Sequence, residues 1–203
     1  MAKHKDNTTE HQILEAAKSV FETKGMAGAR MQEIADKAGI NKAMLHYYYR
    51  SKQLLFEAVF NHAFKLLAPQ LNGILNSDAS IEEKIKSFTH NYINFMIKQP
   101  YLPNFIIQEL NRNPKFIETL KNNVAFPNIA RFKKQVQDDI DAGLINPISA
   151  EQLFINILSL NVFPFVASPL IKAFVDKDDK GFKEVMEARK EAVSSFIINA
   201  IKK

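Results

Sequence analysis

Met31-Gln32-Glu33-Ile34-Ala35-Asp36-Lys37-Ala38-Gly39-Ile40-Asn41-Lys42-Ala43-Met44-Leu45-His46-Tyr47-Tyr48-Tyr49 is the stretch on which the fold turns. Met31, Ile34, Ala35 and Ala38 recur at helical spacing, so a short helix spans about residues 30–37 with these side chains inward. Gly39 closes it, because glycine takes positive φ at no steric cost. Asn41 caps a second short helix, about 42–47. Two short helices joined by a tight glycine turn form the helix-turn-helix pattern, whose second helix enters the DNA major groove. Here that helix exposes Lys42, Met44, His46 and Tyr47 and is too short and polar to serve mainly as core.

Working outward, a preceding helix runs from about Thr9 to Lys24 with Ile13, Leu14, Ala17, Val20 and Phe21 inward, and Gly25 stops it. Ser51 caps a longer helix, about 52–75, that Pro69 and Gly73 are expected to bend or break. Prolines and glycines divide the remainder into helices at about 80–98, 101–112, 114–122, 127–142, 149–163 and 182–201. Asp178-Asp179-Lys180-Gly181 reads as a polar loop. No stretch alternates long enough for a sheet, so the fold is all-α, with about nine helices.

The pattern Gly25-Met26-x-x-Ala29-Arg30-Met31-x-x-Ile34-Ala35-x-x-Ala38-Gly39-Ile40-Asn41-x-Ala43-x-Leu45-His46-Tyr47-Tyr48-Tyr49-x-Ser51-Lys52-x-Leu54-Leu55 resembles the DNA-binding domain of the tetracycline-repressor (TetR) family. The resemblance begins at Ile13 and Leu14 and covers about residues 9–60. It departs where Arg30 stands for the usual Ser or Thr, His46 for Tyr, Tyr49 for Phe and Asn41 for Ser. The resemblance implies a helix-turn-helix DNA-binding domain over 1–53 and a ligand-binding and dimerisation bundle over 54–203.

The DNA-binding candidates follow from side-chain chemistry. Lys42 and Gln32 carry donors for base edges, while Ala43 and Met44 suit thymine methyl groups. Tyr47 and Tyr48 offer hydroxyls to phosphate, and Arg30 and Lys52 offer charge, Lys52 at a helix N-terminus. Asn41 caps the reading helix. His46 stands between a phosphate contact and a structural role, and Tyr49 is assigned to the core.

Three groups of the later helices stand out. Tyr92, Phe95, Met96, Phe105, Gln108, Glu109, Phe132 and Val136 are either plain core or the lining of the apolar cavity that the resemblance implies. Gln108 and Glu109 would be its polar groups. Leu153, Phe154, Ile157, Leu158, Val185, Ala192, Val193 and Phe196 give the helices at 149–163 and 182–201 more apolar surface than one core needs. The resemblance implies that these helices pair with their copies in a dimer, the commonest closed symmetry.

Composition bounds the alternatives. The 203 residues hold 27 Lys+Arg and 22 Asp+Glu, a formal net charge of +5 compatible with a polyanionic partner. With no cysteine, disulfides and thiolate-ligated zinc are excluded. The His residues are scattered at 4, 11, 46, 62 and 90, and no metal or cofactor motif occurs. Nucleophile elbows and phosphate-binding loops are absent, so the chain does not read as an enzyme. From Gln152 to Ile171 no charge occurs, but Asn156, Asn161, Pro164 and Pro169 make this stretch too polar and broken for a membrane span. The first residues lead into an amphipathic segment and not an apolar signal core, so a cytoplasmic location is expected. The leading expectation is a dimeric DNA-binding regulator, a repressor released from a near-palindromic operator by an apolar small molecule. The alternative is a helical carrier or sensor of apolar ligands whose DNA-binding part is vestigial.

Overall fold

A computed structural model describes residues 2–100, 102–112, 116–121 and 127–203. Among them are eleven helices and no strand: α1 (Ala2–Gly28), α2 (Met31–Lys37), α3 (Lys42–Tyr48), α4 (Lys52–Leu75), α5 (Ile81–Lys98), α6 (Leu102–Arg112), α7 (Phe116–Lys121), α8 (Ala130–Asp141), α9 (Ala150–Val166), α10 (Ser168–Val175) and α11 (Asp179–Ile201). The all-α expectation holds, and α10 is the helix it did not contain. Two compact units divide the chain at residues 1–66 and 67–203.

In the first unit, α1 buries Ile13, Ala16, Ala17, Val20 and Phe21. The Phe21 and Phe56 rings meet edge to face with centroids 5.2 Å apart. Phe56, Leu55, Val59 and Phe60 are all buried on the first half of α4. This explains why the unit extends past the expected boundary at 53/54: that half of α4 supplies a wall of its core. Gly25 interrupts α1 with φ 63° and ψ 176°, where the sequence places a stop.

The turn between α2 and α3 is a Schellman motif. Gly39 N–H donates to Asp36 O at 3.1 Å and Ile40 N–H to Ala35 O at 3.0 Å, with Gly39 at φ 68°. The carbonyls at the end of α2 are thereby satisfied while the chain reverses. Asn41 Oδ1 then accepts from Met44 N–H at 2.7 Å and opens α3.

In the second unit, α5 packs chiefly against α11, and also against α9 and α8. Its start has a complete capping box: Glu83 N–H donates to Ser80 Oγ at 3.2 Å, and Ser80 N–H to Glu83 Oε2 at 2.9 Å. Ile85, Phe88, Tyr92, Ile93 and Met96 of α5 join Phe132, Val136, Leu153, Ile157, Met186, Val193 and Ile197 in one core. Lys84 is buried on α5, and its ammonium donates to Leu75 O at 3.1 Å and Gln135 Oε1 at 2.5 Å. Burial holds that ammonium's pKa below the usual lysine range.

α4 ends at Leu75, where the sequence places its end, with Pro69 inside the helix and no break there. Other boundaries differ from expectation. Pro164 lies inside α9, and the uncharged stretch turns by 80° into α10, with Pro169 in the first turn where its missing N–H removes no helical bond. Among the described residues no single helix is long and apolar enough to cross a membrane. The expected loop at 178–181 is instead the start of α11, because Asp178 Oδ1 accepts from Gly181 N–H at 2.8 Å.

The turn at Gly39 gives a direct test of this local reading. An added Cβ there meets no neighbour within 4 Å, so backbone strain alone sets the cost. Gly39→Ala should lower stability by about 1 kcal/mol in chemical denaturation, and Gly39→Asn by less.

Candidate nucleic-acid interface

α3 buries one side chain fully, Leu45, and presents five of the others outward. Lys42, Ala43, Met44 and His46 are exposed, and Tyr47 is 82% exposed. Tyr48 is half-buried, and its ring meets that of Tyr47 edge to face at 5.6 Å. An aromatic ring left this open on a structured helix loses favourable burial, so Tyr47 contributes surface chemistry, not packing. Lys42 forms no ion pair among the described residues, which leaves its ammonium available to an anionic partner.

Tyr49 closes α3 differently. It is half-buried, and its hydroxyl donates to Glu10 Oε1 at 3.0 Å, tying the end of α3 to α1. Burial, and then that hydrogen bond, pushes the phenol above its usual pKa range. Tyr49 is therefore an anchor with a polar handle where a purely apolar core residue was expected. His46 has Nδ1 3.4 Å from Arg50 O, which directs its other ring nitrogen away from the helix end.

Of the remaining candidates, Gln32 on α2 and Lys52 on α4 are engaged within the protein, and the Arg30 side chain, among the described residues, is not. Gln32 Nε2 donates to Asp36 Oδ1 at 2.7 Å, so it must release Asp36 to reach a base edge. Arg30 is exposed, with φ −116° and ψ 136°, and gives α2 no side-chain cap, as its substitution for Ser or Thr foretells. A shallow depression lined by Lys24, Gly28, Arg30, Gln32, Glu33 and Asp36 lies beside it, with Lys24 Nζ 2.6 Å from Glu33 Oε1. Lys52 departs furthest from expectation. Its ammonium, expected on phosphate, donates to Ala27 O at 3.2 Å and Ala29 O at 2.9 Å.

In the second unit the apolar helices sort into inner and outer faces. Leu153, Ile157 and Val193 lie in the chain's own core, so their assignment to a partner-facing surface is corrected: α5 already covers that face. Phe154 and Val185 are half-buried, packed against the same core. Leu158, Ala192 and Phe196 do face outward, Phe196 at 65% exposure. Phe163, part of the apolar surface that the sequence already gives this helix, is exposed as well, and the neighbour that periodicity missed is Ile155, also exposed on α9.

Of the expected cavity residues, Tyr92, Met96, Phe132 and Val136 are buried and Phe95 is half-buried. The side chains of Phe105, Gln108 and Glu109 lie outside the described residues. Burial pushes the Tyr92 hydroxyl above its usual range. A polar pair in this core escaped the sequence reading. Asn161 Nδ2 donates to Ile157 O at 2.7 Å and to Thr89 Oγ1 at 3.2 Å. Asn161 Oδ1 is buried and accepts from no described group. Its one sequence signal is an Asn amid the uncharged run of α9. Among the described residues no cluster of three or more His, Cys, Asp or Glu is arranged to hold a metal.

Comparison with known proteins covers the segment that holds α2 and α3. The family described as "Bacterial regulatory proteins, tetR family" matches residues 13–59. The HTH-type transcriptional repressor NicS of Pseudomonas putida is 38% identical over 63 residues, 31% of this chain and 29% of that protein. The HTH-type transcriptional activator FasR of Mycolicibacterium smegmatis is 29% identical over 85 residues, 42% of this chain and 39% of the relative. The chain thus spans less than half the length of these curated relatives. The crystal structure of a TetR-family transcriptional regulator from Haemophilus influenzae superposes with a TM-score of 0.62 at 18% identity, covering 98% of each chain, which is a likeness of fold.

The two tyrosines separate packing from surface chemistry. Tyr49→Phe should lower stability by about 1 kcal/mol, the ordinary worth of one hydrogen bond, as measured in urea. Tyr47→Phe should leave it within about 0.5 kcal/mol.

Proposed function

We propose that this chain, which belongs to the TetR family of transcriptional regulators, binds duplex DNA through α3 as a homodimer and represses transcription at a near-palindromic operator. One observation carries the reading: α3 is fixed at both ends yet leaves Lys42, Ala43, Met44, His46 and Tyr47 facing outward. Lys42 is a donor for guanine edges, Met44 and Ala43 meet thymine methyl groups, and Tyr47 and Tyr48 offer hydroxyls to phosphate. Arg30 adds charge beside α2, and Gln32 reaches the groove once it leaves Asp36.

The exposed apolar side chains Leu158, Ile155 and Phe163 of α9 and Ala192 and Phe196 of α11 support the dimer. Side chains this apolar are stabilised by a partner, and a two-fold axis pairs a surface with itself. Two copies of α3 then meet two half-sites about one helical turn or more apart.

The effector is a largely apolar small molecule held in the α5, α8 and α9 core. Tyr92, Met96, Phe132 and Val136 supply its apolar walls, with Phe95 beside them. Thr89 and Asn161 add polar groups, Asn161 Oδ1 being an acceptor with no donor among the described residues. Such a molecule releases DNA only by binding the released conformation more tightly than the DNA-bound one. The regulator acts in the cytoplasm, where its DNA is.

Selection from a pool of random duplexes tests the reading. Enrichment of an inverted repeat, lost when Lys42→Ala is combined with Tyr47→Phe, is the expected result. A folded protein that enriches no sequence at low salt contradicts it. For the dimer, Phe196→Asp should sediment as a monomer with its helical circular dichroism retained, whereas Val193→Asp should lose the fold. A Phe196→Asp protein that sediments like the wild type excludes this face.

A further inference from the structure

We infer that Lys52 is a positioning residue for the helix-turn-helix and not a phosphate ligand; the inference rests on the DNA-binding reading above. Lys52 opens α4, yet its ammonium reaches back to the segment that runs from the last turn of α1 into α2. It donates to Ala27 O at 3.2 Å and to Ala29 O at 2.9 Å. That segment has no side-chain cap where it enters α2. It follows the break at Gly25, where φ is 63° and ψ 176°, and it ends at Arg30, which caps α2 with no side-chain hydrogen bond.

Chemistry makes lysine suited to this place. Carbonyls beyond the last turn of a helix have no N–H from the next turn and carry partial negative charge. An ammonium beside them forms charge-assisted hydrogen bonds, which are stronger than neutral ones. Two of its three N–H donors are engaged here, and the residue is half-buried. The Ala29 side chain is buried and its N–H donates to Gly25 O at 3.2 Å, so the held carbonyl lies on a fixed piece of chain.

The consequence reaches α3 through the backbone. Ala29 is two residues before α2, and α2 passes into α3 through the closed Schellman turn. The two short helices pack against each other across that turn. Lys52 therefore sets the angle at which that pair leaves α1. Arg30 takes the place of the usual cap and leaves the first N–H groups of α2 without one, while Lys52 holds the carbonyls just before it.

Lys52→Met and Lys52→Arg in the full chain test this, by hydrogen exchange and by affinity for the selected duplex and a random-sequence duplex over a range of salt. In Lys52→Met, exchange over residues 26–34 should quicken. Affinity for the selected duplex should fall about tenfold, as expected for lost hydrogen bonds to a charged group. The salt slope and the affinity for random duplex should stay unchanged, and Lys52→Arg should restore both readouts. A slope shallower by about 0.9 on both duplexes, with unchanged exchange, makes Lys52 a phosphate ligand and overturns the inference. Quicker exchange with wild-type affinity for the selected duplex overturns it too, since the hold then adds stability without aiming α3. If the wild type enriches no duplex, the DNA-binding reading fails and the positioning role falls with it. The exchange comparison then still decides whether Lys52 holds the entry to α2.

Discussion

A seven-residue helix that buries one side chain cannot hold itself in place. Helices this short are unstable alone, because the nucleation cost is recovered over too few hydrogen bonds. α3 keeps its shape because four contacts from outside it converge: Leu45 in the core, Asn41 at its start, the Schellman turn behind it and the Tyr49 hydroxyl on Glu10. The outward side chains take no part in that support. This is why Lys42, Met44 and Tyr47 are free to serve a partner, and why the reading surface depends on residues that never face it.

The second unit meets the reverse condition. Its helices have more apolar side chains than their packing uses. α5 takes one face of α9 and one of α11, and the core closes with Leu153, Ile157 and Val193 inside. What remains outside is large: Phe163 is 56% exposed and Phe196 65%. Burying two such rings against a second copy is worth about 2 kcal/mol each by area, which is ample reason for association. Inside, the polar pair Thr89 and Asn161 costs free energy unless Asn161 Oδ1 finds a donor, and so marks where an otherwise apolar core has a use for polarity.

How far the sequence told this in advance follows from the range of the interactions. The helix-turn-helix was legible because its determinants are local. Gly39, Asn41 and the spacing of Ile34, Ala35 and Leu45 act within a few residues, and each allows few alternatives. The Tyr49 bond to Glu10 and the Lys52 hold on Ala27 and Ala29 were not legible, since they join residues 39, 25 and 23 apart in the chain. The division of α9 into inner and outer faces was hidden for another reason. A helix apolar nearly all round has no periodic signal to say which side is covered, so Leu153 and Ile157 could not be told from Ile155 and Leu158. The start of α11 was misread because Asp178 and Gly181 suit a loop and an N-terminal cap equally well.

The central claim is that the outward face of α3 lies in the major groove of a two-fold site. Methylation protection on the selected duplex tests it most directly, because dimethyl sulfate marks guanine N7 in the major groove and adenine N3 in the minor groove. The account predicts two patches of protected guanine N7, related by a dyad and about one helical turn or more apart, that vanish together with Lys42→Ala and Tyr47→Phe. Bound protein that shields only adenine N3, or one unrepeated patch, would contradict it.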